Sequence, residues 1–156
     1  MKKILCFLLL SACGFKPMFS GNDTNIYVPV ISGINGIELR NALNTKFGGP
    51  RPSDAPYTLT VTLHNPTTKY KAIETSGAAT WQEINLRANY VLNYNGKPIA
   101  RGTETASESY TFVQYLVAAN ASYNNAVENT ITALADKIGS RAIAEVYKNE
   151  NKSNKK

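Results

Sequence analysis

Few side chains in this sequence are equipped for chemistry: two cysteines, one histidine and eleven carboxylates among 156 residues. Cys13 follows the small pair Ser11-Ala12, and Cys6 lies inside the apolar run from Ile4 to Leu10. His64 closes an alternating segment, Tyr57-Thr58-Leu59-Thr60-Val61-Thr62-Leu63-His64, on the side of the threonines. To act as a general base it needs a nucleophile and an orienting group. The sequence offers no Gly-x-Ser-x-Gly and no free cysteine, so His64 reads as a surface histidine. The carboxylates are scattered and suggest no glycosidase pair. Gly33-Ile34-Asn35-Gly36 is too short for a phosphate-cradling loop. One histidine cannot build a Cys/His metal cluster. We therefore expect no enzyme, no cofactor and no metal site.

Cys13 is the exception, because of what precedes it. Lys2 and Lys3, a short apolar core and the small residues before Cys13 are the parts of a secretory signal. The core is about 10 Å long as a helix, too short to span a bilayer. Leu10-Ser11-Ala12-Cys13 resembles the bacterial lipobox. That resemblance implies a diacylglyceryl group on the Cys13 thiol, cleavage after residues 1–12 and acylation of the new amine. Two membrane signals already hold a protein stably. Three acyl chains would fix the mature chain to a membrane surface.

The bounds follow. Removal of residues 1–12 leaves 144 residues, enough for one domain with a core. With Cys6 removed and Cys13 lipidated, no disulfide remains. The formal charge of +6 is concentrated in the signal and the tail. Residues 13–147 carry eleven Lys/Arg against ten Asp/Glu, a near-neutral body that argues against nucleic acid as a partner. Residues 148–156, Lys-Asn-Glu-Asn-Lys-Ser-Asn-Lys-Lys, read as a disordered basic tail.

Residues 13–25 read as the lipidated start and a tether, rich in loop formers such as Pro17, Gly21 and Asn22. A single domain should occupy 26–147. Ile26–Ile31 is β-branched, hence a strand, and Pro29 confines it to an edge. Leu39, Leu43 and Phe47 repeat at helical spacing over Ile37–Phe47, with Asn35 as N-cap and Gly48 as the C′ glycine. The Tyr57–His64 strand is interrupted at Asn65–Thr68 and resumes over Lys69–Ile73. The next strand alternates Ile84, Leu86, Ala88, Tyr90, Leu92 and Tyr94 inward and ends at Asn95-Gly96, a type I′ hairpin signal. A regular ladder from that turn sets Leu92 opposite Ile99, Leu86 opposite Thr105, Arg87 opposite Glu104 and Glu83 opposite Glu108. A long helix from Asn120 to Tyr147 carries Tyr123, Val127, Ile131, Leu134, Ile138, Ala142 and Val146 on one face. The sum is α+β, a two-layer sandwich in the order β-α-β-β-β-α. Two helices pack on one face of a mostly antiparallel sheet, and Thr, Asn and His64 line the other.

Cys13-Gly14-Phe15-Lys16-Pro17-Met18-Phe19 resembles the mature start of the lipopolysaccharide-assembly lipoprotein family, LptE. The element order also looks like that family. The resemblance implies a lipoprotein on the periplasmic face of the outer membrane. It would plug the lumen of the large barrel LptD, help that barrel fold and aid insertion of lipopolysaccharide into the outer leaflet. Gly14 after the lipidated cysteine fits outer-membrane sorting. Lipopolysaccharide phosphates would want Lys or Arg, and Lys69, Lys71, Lys97 and Arg101 are the candidates. Two other readings compete: an auxiliary lipid-binding lipoprotein of an ABC-type lipid transport system, and a lipid-anchored hydrolase based on His64.

Overall fold

The computed structural model describes residues 24–73, 79–111 and 115–153. The order is β1 (Ile26–Tyr27), α1 (Ile34–Lys46), β2 (Tyr57–Leu63), β3 (Thr67–Ile73), β4 (Ala79–Tyr94), β5 (Lys97–Thr111) and α2 (Leu116–Ser153). The expected α+β two-layer architecture is what is found, with both helices packed on one face of a five-stranded sheet.

β1 is two residues long and pairs in parallel with β2, Ile26 beside Tyr57. The strand expected over Ile26–Ile31 is thus cut to its first two residues, and Pro29, which lacks a backbone donor, stands two residues beyond it at the sheet edge. β2 pairs antiparallel with Ala88–Tyr94 of β4 and β3 with the first half of the same strand. β5 accompanies β4 from Trp81 to Tyr94 on its other side. β2 and β3 are therefore one interrupted strand, as the sequence suggests, but the break is residues 64–66 rather than Asn65–Thr68, since Thr67 and Thr68 already pair with Asn85 and Ile84. The His64 N–H still donates to the Arg87 carbonyl across the gap (2.9 Å).

α1 starts three residues before the expected Ile37 and uses Gly33, not Asn35, at its N-cap, without a side-chain cap. Gly36 is what permits the early start. The Ile31 carbonyl oxygen passes 2.7 Å from where a Cβ would stand, so only glycine fits this turn. Leu39, Leu43 and Phe47 are fully buried. At the other end Gly49 N–H bonds to Asn44 O (2.8 Å) and Gly48 N–H to Thr45 O (3.1 Å), a Schellman closure with Gly48 at φ +80°.

The hairpin turn has Asn95 at φ +46° and Gly96 at +77°, the pair of left-handed residues a type I′ turn needs. Tyr94 lies opposite Lys97 as expected, but the rest of the expected register is corrected by one residue. A bulge at Ile99 puts Leu92 opposite Ala100, Leu86 opposite Ala106, Arg87 opposite Thr105 and Ala88 opposite Glu104. One extra residue turns every later side chain to the other face. Glu104 thus leaves the open face and pairs with Arg141 of α2 instead of Arg87. Glu83 faces Ser109, not Glu108. Gly102 falls opposite Tyr90, and a Cβ there would meet the phenol oxygen at 2.7 Å.

α2 has 38 residues, about 57 Å of helix, and β4 has 16, about 53 Å of strand. The helix covers β4 and β5 along the sheet and packs beside α1. Val127, Ile131, Leu134, Ile138, Ala142 and Val146 are buried against Leu59, Ile84, Leu86 and Leu92. The segment expected to be a disordered tail from 148 is helical through Ser153, and Asn149 Nδ2 donates to the Tyr57 hydroxyl (3.2 Å). Residues 154–156 lie outside the described part. The outer side of β5 has no strand beside it among the described residues. Arg87 turns its carbonyl toward His64, so its opposite number Thr105 points its own carbonyl away from β4. Lys137 Nζ takes that carbonyl at 2.7 Å.

Candidate functional site

The open face of the sheet is a polar lattice built by period-two alternation. Thr60, Thr62, His64, Arg87, Asn89 and Thr103 are exposed on it. Asn89 sits between neighbours on both sides: its Nδ2 lies 3.0 Å from His64 Nε2 and its Oδ1 accepts from Thr103 Oγ1 at 2.8 Å. An amide nitrogen can only donate, so the His64 ring accepts here through Nε2. His64 also lines a groove of about 290 Å³ with Gly33, Gly36, Asn65 and Pro66. Ser32 lines it too, yet His64 Nε2 is engaged with Asn89 rather than with a hydroxyl. Among the described residues no cluster of His, Cys, Asp and Glu could hold a metal ion.

The four basic candidates do not form one site. Lys69 is exposed on β3 opposite Glu83, and Lys71 Nζ lies 3.0 Å from Glu83 Oε2. The Lys71 ammonium, together with the Asn85 amide, holds the Glu83 carboxyl below its usual range. Two ammonium groups thus share one carboxylate and keep a net positive charge. Arg101 lies opposite Val91 and Lys97 opposite Tyr94, near the hairpin turn. The partners of Lys69 and Lys97, Glu83 and Tyr94, are eleven positions apart on β4, about 36 Å along the strand. Cys13 lies outside the described residues.

The sequence reading missed a surface at the end where β3, the start of β4, the end of β5 and the start of α2 meet. Tyr70, Trp81, Tyr115, Leu116 and Val117 are all exposed there. Below them Tyr110 is half-buried and donates to Gln82 Oε1 (2.5 Å), and burial pushes its phenol pKa up. Neither a period of two nor one of 3.6 runs through Tyr115-Leu116-Val117. Three consecutive apolar residues at a helix start were the available signal. A second exposed group, Val30, Ile34 and Ile37, stands at the start of α1.

No family model matches the chain, and no curated protein sequence does. Solved structures do share the fold. Rare lipoprotein B of Shewanella oneidensis is 13% identical with a TM-score of 0.61, over 82% of this chain and 99% of its own. Lipoprotein B of Nitrosomonas europaea is 12% identical with a TM-score of 0.62, over 78% and 83%. A minor lipoprotein of Acinetobacter baumannii is 18% identical with a TM-score of 0.53, over 76% and 88%. The two-layer domain is one that bacterial lipoproteins from several organisms carry.

Proposed function

We propose that the chain is a lipoprotein of the outer membrane, held on its periplasmic face through Cys13. There it plugs and helps assemble the lipopolysaccharide-translocating barrel LptD and aids insertion of lipopolysaccharide into the outer leaflet. The observation that carries this reading is the LptE-like start, Cys13 to Phe19, at the head of a domain whose fold lipoproteins share. The polar open face suits a barrel interior, which is itself polar. The aromatic end, with Tyr70 and Tyr115–Val117 exposed and Trp81 exposed on the other side of the sheet, is the end we assign to the barrel, since exposed apolar side chains gathered at one end mark protein contacts. Lys69 and Lys71, with only Glu83 between them, are the pair we assign to lipopolysaccharide phosphate. Lys97 and Arg101 are too distant to join them.

Detergent extraction followed by co-purification tests this. The expected result is a stable complex with one large outer-membrane barrel. Trp81→Ala combined with Val117→Asp should weaken that complex while leaving the circular dichroism spectrum unchanged. Absence of any barrel, with a phospholipid bound to the isolated protein instead, would replace this reading with that of an auxiliary lipoprotein for ABC-type lipid transport.

A further inference from the structure

The direction of β1 places the chain's entry. β1 runs parallel to β2, and Ile26 lies beside Tyr57, whose partner on β4 is Tyr94, next to the Asn95-Gly96 turn. Thr24, the first described residue, therefore stands at the hairpin-turn end of the long axis. α2 arrives at the same end, because Asn149 bonds to the Tyr57 hydroxyl. Lys148, Asn149 and Lys152 line one groove there with Ile99. Lys97, Lys148 and Lys152 are exposed at this end, and Lys155 and Lys156 follow in sequence. Glu145 and Glu150 oppose them, and Glu145 is engaged by Lys148 (3.3 Å). The balance is positive. At the opposite end Lys69 and Lys71 are met by Glu83 and Glu108, and Glu38 and Glu128 line one groove there with Tyr123, so among the described residues the excess positive charge stands at the hairpin-turn pole.

Resting on the Cys13-anchored reading, we propose that, before the chain joins the barrel, this basic pole sits on the anionic headgroups of the bilayer that holds the lipid chains. Thr24 is eleven positions after Cys13, a tether of at most about 40 Å. The pole is therefore within reach of the surface, while the aromatic end, at Trp81, lies about 43 Å from Tyr94 along β4. Basic residues beside an anionic leaflet are attracted over roughly one Debye length. Lys152 also stands in the last turn of α2, where a cation meets the helix dipole. Lys97 has no such second role. Docking would orient the long axis away from the membrane and present the aromatic end outward.

The test uses the full lipidated chain, extracted from membranes and reconstituted into vesicles of phosphatidylethanolamine and phosphatidylglycerol, or of phosphatidylcholine alone. A donor dye is placed at Ser153→Cys or Ser109→Cys, exposed positions at the two ends, and the acceptor on a lipid headgroup. In the anionic vesicles transfer from position 153 should exceed that from 109 by at least about threefold. The excess should fall by about half or more in neutral vesicles, in about 0.5 M salt where the Debye length is under 5 Å, and in the combined Lys97→Gln, Lys148→Gln, Lys152→Gln variant. Every one of these proteins should still float with vesicles. A ratio unchanged by lipid charge, salt and the triple variant overturns the proposal and leaves the anchor intact. Failure to float with any vesicle overturns the anchored reading, and this proposal with it.

Discussion

Two helical glycines separate propensity from packing. An alanine in place of a helical glycine ordinarily stabilises by about 0.5–1 kcal/mol, through lower backbone entropy in the unfolded chain. At Gly36 that gain meets a wall. The new Cβ would stand 2.7 Å from the Ile31 carbonyl oxygen and 2.9 Å from its carbon, both backbone atoms of the turn that leads into α1. Relief requires the β1–α1 connection to move, and overpacking of this kind costs about 1–3 kcal/mol. The net for Gly36→Ala is destabilisation by about 1–2 kcal/mol, a fall of about 3–10 °C in Tm for a domain of this size. Gly139 in α2 is the control. There the Cβ would meet only the methylenes of Lys46, which lie across the glycine on the way to Asp136 (2.7 Å). That side chain can swing aside, and the ion pair it gives up is partly exposed and worth about 0.5 kcal/mol. Gly139→Ala should therefore be neutral or stabilising by up to about 0.5 kcal/mol. Urea denaturation of both variants with an unchanged m-value measures the difference. Gly36→Ala as stable as the parent, or Gly139→Ala falling as far as Gly36→Ala, would refute the reasoning.

Burial raises the phenol pKa of Tyr57, Tyr90 and Tyr110, so the folded state holds those protons more tightly than the unfolded chain. The contribution of these three groups to stability should be level below pH 10 and decline as pH rises from about 10 through the folded values. A spectrophotometric titration should show these three of the nine tyrosines ionising late, and a single sharp step at the ordinary value would contradict it. Lys71→Ala should raise the Glu83 pKa toward the usual carboxylate range, because the Lys71 ammonium is the largest influence holding it down. Carboxyl shifts followed by nuclear magnetic resonance would read this, and an unmoved Glu83 would assign the depression to Asn85. Gly96→Ala forces a side chain into φ +77° at the hairpin turn. It should cost about 1–2 kcal/mol in denaturant unfolding, and no loss would mean the turn is not type I′.

Much of this fold was written in local patterns. Tyr57–Leu63 and Ile84–Tyr94 alternate without a break, and both became the strands that alternation describes. Asn95-Gly96 determined the turn, and Gly48 the close of α1. The misses came from long-range contacts. The bulge at Ile99 could not be counted from the turn, although Pro98, which cannot donate to a ladder, was its one visible warning. Because the register slipped, so did the partner of Glu104, which Arg141 supplies from another layer. The polar segment beyond Tyr147 looked disordered, yet packing and the Asn149–Tyr57 bond carry the helix through it. The threonine face was legible as alternation. The separation of Lys69 and Lys71 from Lys97 and Arg101 was not, since it depends on which half of β4 each strand joins.

The outer flank of β5 is a row of backbone groups fifteen residues long, the kind of template on which another chain could crystallise as an added strand. Lys137 sets its ammonium over the Thr105 carbonyl midway along that row. Any recruit would have to evict a cation from a short, well-placed bond before it could zip past the middle. One side chain reaching down from the helix above thereby guards the middle of that edge against a strand from another copy of the chain.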